Sequence, residues 1–166
     1  MLAARSLPCG CSSEGVRETT IYDPGGGTSM PDTVRLVDYF YIEVADKPGE
    51  GARVLSHLKA AGVYLLDIHA FPKGRRAQVV FVPSDPAAFK TAAKAAKWKS
   101  VGPKKAFVIQ GDDRVGAMVD YFAKLAQAKI NVTAGDALAA GGGRFGAILW
   151  VKARDVRRAA KALGVG

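Results

Sequence analysis

Two short stretches carry the residue types and spacing that could do chemistry. In "DKPG", Asp46 is followed by Pro48 and Gly49, and in "DRVG", Asp113 is followed by Gly116. Each stretch follows an extended apolar run and opens a helical pattern. An acid at a helix start accepts hydrogen bonds from the free N–H groups of the first turn, contributing about 1 kcal/mol. The same acid is alternatively a ligand contact. Pro is tolerated in a first helical turn because its missing N–H would have no partner there. Glycine lets a ligand or a second backbone come close.

The elements around these turns follow from periodicity. "VRLVDYFYIEVA" alternates, with Leu36, Phe40, Ile42 and Val44 on one face, and predicts a strand. "EGARVLSHLKAAG" predicts a helix with Leu55 and Leu58 on its apolar stripe, stopped by Gly62. "VYLLDIHAF" and "RAQVVFV" predict a hairpin across "PKGR". Ser84, Asp85 and Pro86 open a second helix. The order β-α-β-β-α then returns. "KKAFVIQ" predicts a strand, and "DRVGAMVDYFAKLAQAK" a helix with Val115, Met118, Val119, Phe122, Leu125 and Ala126 inward. "INVTAGDAL" and "FGAILWV" predict strands, and "ARDVRRAAKALG" a closing helix.

The two halves align across the first helix at a constant offset, since 113 − 46 = 67, 116 − 49 = 67, 125 − 58 = 67 and 130 − 63 = 67. After the hairpins it lengthens by about two, which a longer second turn would explain. A fixed offset of this kind is an internal duplication. A βαββα unit of this size is the split βαβ, ferredoxin-like plan, whose antiparallel sheet buries one face under two helices. The expected division is a tail over 1–29, a first unit over 33–100 and a second over 104–166.

Other chemistry finds little support. "GGGRFG" over 141–146 precedes a strand and not a helix, so it reads as a hairpin turn and not a phosphate loop. Arg75 and Arg76 read as a solvated hairpin tip. His57 and His69 lack metal-spaced partners and read as structural. Asp112 and Asp113 form a loop pair. The folded part offers no nucleophile–base set, so a non-catalytic protein with no cofactor and no metal is expected.

Of 166 residues, 49% are hydrophobic and 23% charged, ordinary for a globular chain. No apolar run reaches membrane-spanning length, so no membrane partner is expected. The net charge of +9 favours anionic partners in general. Its densest part, "KTAAKAAKWK" over Lys90–Lys99, is spaced like the solvated face of a helix, so nucleic acid is not the expected partner. Cys9 and Cys11 form a lone Cys-x-Cys, a poor metal site. The first 29 residues lack periodicity and a secretory h-region, which makes the cytoplasm the default compartment. They read either as a flexible tail or as translated leader ahead of a start at Met30.

With duplication, order and turns in place, the chain resembles a tandem ACT domain protein, on "DKPGEGARVLSHLKAAGVYL" and "DRVGAMVDYFAKLAQAKINV". The resemblance spans Val34–Gly166. It implies an α+β fold of two ferredoxin-like βαββα(β) ACT units, and regulatory binding of a small ligand, typically an amino acid, at an interface between units. The implied ligand-binding residues are Asp46, Pro48, Gly49 and Tyr64 in repeat 1, and Asp113, Gly116 and Asn131 in repeat 2. Asn131 follows the family pattern where repeat 1 has Tyr64, and Pro48 follows it where repeat 2 has Val115. One site or two, and pairing within the chain or across a homodimer, both stay open. The alternative function is a protein-interaction module without a small ligand.

Overall fold

The computed structural model describes residues 31–165. The expectations for 1–29, for Met30 as a start and for Cys9 and Cys11 lie outside them. The elements are β1 (Thr33–Ala45), α1 (Glu50–Ala60), β2 (Leu65–Lys73), β3 (Arg76–Pro83), α2 (Pro86–Ala95), β4 (Val101–Asp112), α3 (Val119–Gln127), β5 (Val132–Gly141), β6 (Arg144–Val151) and α4 (Val156–Leu163). A 3-10 turn at Ala153–Asp155 leads into α4.

The duplication is visible in the element bounds. β1 and β4 end 112 − 45 = 67 residues apart, and α1 and α3 end 127 − 60 = 67 apart. The later lengthening does not come from the turn, because both hairpins turn in two residues. β5 takes up an extra residue instead, where its register with β6 shifts between Ala139 and Gly141.

Six strands form one antiparallel sheet in the order β2-β3-β1-β4-β6-β5. The long strands β1 and β4 join the repeats. The C-terminal half of β1, from Phe40, pairs with β3 of its own repeat, and its N-terminal half pairs with β4. β4 pairs with β6 of its own repeat from Phe107 onward and with β1 as far as Gln110. Each repeat therefore supplies the fourth strand of the other's ferredoxin-like unit. Asp38 pairs with Lys105 at the centre of this ladder, and 105 − 38 = 67 makes them counterparts.

All four helices cover one face. Phe40, Ile42, Val54, Leu58, Phe81 and Phe89 form the core of repeat 1. Phe107, Ile109, Tyr121, Leu125, Leu149 and Ala159 form that of repeat 2. Two expected helix stripes are rotated. α1 buries Val54 and Leu58, leaving Leu55 40% exposed. α3 buries Tyr121 and Leu125 behind Ala117, while Val115, Val119 and Phe122 face outward. The expected stripe on α3 starts from Asp113, but the helix begins only at Val119, so the turns before it are out of phase.

The opposite face is covered by the sheet itself. In a flat sheet the edge strands β2 and β5 would stand about 24 Å apart, five spacings of about 4.8 Å. They meet instead: His69 Nδ1 of β2 lies 3.6 Å from Asp136 Oδ2 of β5. The His69 ring also stands edge-on to Trp150 of β6, centroids 5.1 Å apart. The sheet is thus curled, with Val82, Ala106, Val108 and Ile148 buried on its concave side.

Candidate functional site

At the β1–α1 turn, the N-cap of α1 is Gly49 and not Asp46, and no side chain caps the helix. α3 likewise starts behind Met118 with no side-chain cap, so Asp113 is not its cap either. The capping reading of both acids is therefore corrected: each sits three or more residues before its helix, beyond reach of the first-turn N–H groups. α2 shows the contrast, since Asp85 accepts from Ala87 N–H at 2.8 Å and Ala88 N–H at 3.3 Å. Of the four described helices only α2 is closed by a carboxylate; its counterpart α4 lacks a side-chain cap, as do α1 and α3. Gly49 and Gly116 take φ of +89° and +77°, the left-handed region that glycine enters without strain. Among the described residues, the Asp46 and Asp113 carboxylates have no hydrogen-bond or ion-pair partner.

The second turn is clamped. Arg114 Nη2 donates to Asp32 Oδ2 at 2.8 Å, and Tyr121 Oη donates to the same oxygen at 2.7 Å. The Arg114 guanidinium holds the Asp32 carboxyl below its ordinary range. Burial, and then the bond to Asp32, push the Tyr121 phenol up to about 12. Gly111 makes room for this arrangement: a Cβ there would lie 1.9 Å from Asp32 Oδ1.

The remaining expected site residues lie at the far ends of the helices. Tyr64 precedes β2 and is 70% exposed, beside a shallow groove with Leu55, Lys59 and Gly62. Asn131 precedes β5 and is exposed. Because β1 and β4 run antiparallel, Asn131 sits at the same end of the sheet as Asp46, and Tyr64 at the same end as Asp113. In the strand order, however, β5 lies three strands from β1, about 14 Å in a flat sheet. Asp113 and Gly116 come together in an open groove of about 310 Å³, walled by Met118, Leu138 and Phe145. Asn131 does not line it.

The concave face holds a cavity of about 120 Å³. Asp67, His69 and Asp136 reach into it beside Gln110. His69 Nε2 lies 2.5 Å from Asp67 Oδ2. Sequence reasoning assigned His69 a structural role; its partner was findable, because 136 − 69 = 67 makes Asp136 its counterpart in the duplication. His57 is structural, its Nε2 against Ala92 O at 2.9 Å and its ring edge-on to Trp98. Among the described residues, no three His, Cys, Asp or Glu side chains are grouped to hold a metal ion.

No family model matches the chain, and no curated protein matches it. Solved structures do. A protein of Bacteroides thetaiotaomicron superposes with a TM-score of 0.69 at 13% identity, over 79% of this chain and 88% of that one. The regulatory subunit of aspartate kinase from Thermus thermophilus superposes with a TM-score of 0.59 at 16% identity, over 82% and 97%. That from Thermus flavus gives 0.55 at 16% identity, over 83% and 97%. The fold is ACT-like. The two ACT-like units account for the sheet order, for the helices on one face and for the placement of both turns.

Proposed function

We infer that the chain is a non-catalytic regulatory protein that binds an amino acid at an interface between ACT-like units. The observation that carries this reading is the pair of duplicated glycine turns ahead of α1 and α3, each with an unpartnered Asp, a glycine of positive φ and no side-chain cap on the helix that follows. Free N–H groups and the helix dipole suit an α-carboxylate. Asp46 or Asp113 suits the α-ammonium, and Gly49 or Gly116 permits close approach. Pro48 fixes the first turn. Asn131 and Tyr64 stand three strands across the sheet from Asp46 and Asp113 respectively, and a second copy in a homodimer would bring further such residues to the turns. Regulatory subunits among the solved structures of this fold support a regulatory role. Titrating the twenty amino acids against thermal unfolding tests it, because a ligand at about 100 times its Kd stabilises by about 2.7 kcal/mol. Asp113→Ala should abolish the shift if the second turn is used, and Asp46→Ala if the first is.

A second reading, an assembly module without a small ligand, is favoured by one observation. Val115 in the turn before α3 is fully exposed, and Val119 and Phe122 on the outer face of α3 are 64% and 45% exposed. Co-purification of a constant protein partner, with no response to any amino acid, would support it.

A further inference from the structure

The concave cavity adjoins the groove at the second turn across Ala137 and Leu138 but is not lined by Asp113 or Gly116, and the duplication explains why it exists. Repeat 2 has Val108 where repeat 1 has Tyr41, Leu138 where it has Phe71 and Gly146 where it has Gln78 (108 − 41 = 67, 138 − 71 = 67, 146 − 78 = 68). Three side chains are thus replaced by smaller ones on one side of the curled sheet. Trp150 stands against Tyr39 and His69 on the same concave face. The void that remains, about 120 Å³, is somewhat smaller than the roughly 150 Å³ cavity known to take benzene.

Its chemistry is two-sided. Leu66, Val108, Leu138 and Ile148 form apolar walls. Asp67 and Asp136 supply negative charge on either side of His69. Asp67 is engaged, accepting from Ile68 N–H at 2.8 Å and facing His69 Nε2. Asp136 has only His69 Nδ1 at 3.6 Å, beyond a good hydrogen bond, and its side chain is 58% exposed. Among the described residues, no Lys or Arg pairs with either carboxylate. Arg35, on the same side, donates to Gln110 Oε1 at 3.0 Å. An apolar chamber with a few convergent polar groups is the usual form of a small-molecule site.

We propose that this cavity is a binding site for a small organic ammonium, its aliphatic body between Val108 and Leu138 and its cationic head at Asp136. The probe is n-butylamine, with n-butanol as the neutral counterpart and butyrate as the anionic one. The chain has two tryptophans, so Trp98→Phe leaves Trp150 as the reporter beside the cavity. Butylammonium should change Trp150 emission saturably, butanol should bind at least about tenfold more weakly, and butyrate should not bind. Asp136→Asn should weaken butylammonium by about tenfold. Leu138→Phe, which restores the bulk found in repeat 1, should abolish binding while the protein stays folded. Asp113→Ala should leave it unchanged, which separates this site from the turns. If Trp98→Phe does not fold, the His69 ring resonances of the unaltered chain report the same titration. Equal binding of butanol, undiminished binding in Leu138→Phe, or no saturable response to butylammonium would overturn the proposal.

Discussion

Asp38 and Lys105 face each other at the centre of the β1–β4 ladder, Oδ1 to Nζ 2.6 Å, and each is the other's counterpart in the duplication. An axis relating the repeats passes between them on the helix side and between His69 and Asp136 on the concave side. The two repeats are joined within the one sheet at a point where like positions meet, and the sequence places opposite charges there. Asp38 Oδ1 is itself buried. Lys105 is its one close cation among the described residues.

Removing that cation should be costly. Lys105→Met leaves the Asp38 oxygen buried without a counter-charge, and should destabilise by about 1–3 kcal/mol. Adding Asp38→Leu should recover most of the loss. Urea unfolding of the two variants and the parent measures both numbers.

Alkaline pH should weaken the clamp on the second turn. The Tyr121 phenol is raised from 10 to about 12 by burial and by its bond to Asp32, so folding favours the neutral form. That contribution is complete below pH 10 and is lost as pH rises from 10 towards 12. Tyr121→Phe cannot lose it. Stability curves from pH 9 to 11.5 should fall more steeply for the parent than for Tyr121→Phe. Asp32 works in the opposite direction: its carboxyl is held low by Arg114, so its contribution is present above the ordinary carboxylate range and is lost on acidification.

Gly111→Ala should damage the same place. The new methyl would meet both Asp32 and Phe145, at 1.9 Å and 2.8 Å. A loss of about 1–3 kcal/mol is expected from overpacking, with Asp32 displaced. Melting temperature and the Tyr121 titration would report the two effects separately.

Lys129 should be improvable. It ends α3 at φ 56°, donating its N–H to Ala126 O at 2.8 Å, while Ile130 N–H reaches Leu125 O at 2.9 Å. Gly62 occupies the equivalent place after α1. Lys129→Gly should therefore stabilise by about 1 kcal/mol, by removing the side chain from a left-handed position. Thermal unfolding measures it.

The plan of the fold was readable because the duplication and the hydrophobic periods agree. Asp85 and Pro86 opened α2, and Gly62 and Gly164 closed their helices, because local chemistry suffices at those places. The helix stripe on α3 was misread for a tertiary reason. The turn after Asp113 consumes residues before the helix starts, and that shifts Tyr121 inward and Phe122 outward. The bonds of Asp32 to Arg114 and Tyr121 span 82 and 89 residues, so no local pattern announces them. The curling that brings His69 to Asp136 depends on sheet twist and on how six strands join, which strand periodicity does not carry.

The turns over 46–49 and 113–116 are the proposed amino-acid contacts. The most direct measurement follows backbone amide resonances of the ¹⁵N-labelled chain while each of the twenty amino acids is added to millimolar excess. The prediction is that at least one amino acid moves the Gly49, Glu50 and Gly51 amides, or those of Gly116, Ala117 and Met118, saturably, and that the matching Asp46→Ala or Asp113→Ala variant abolishes the movement. Twenty titrations that leave both sets of amides in place would contradict it.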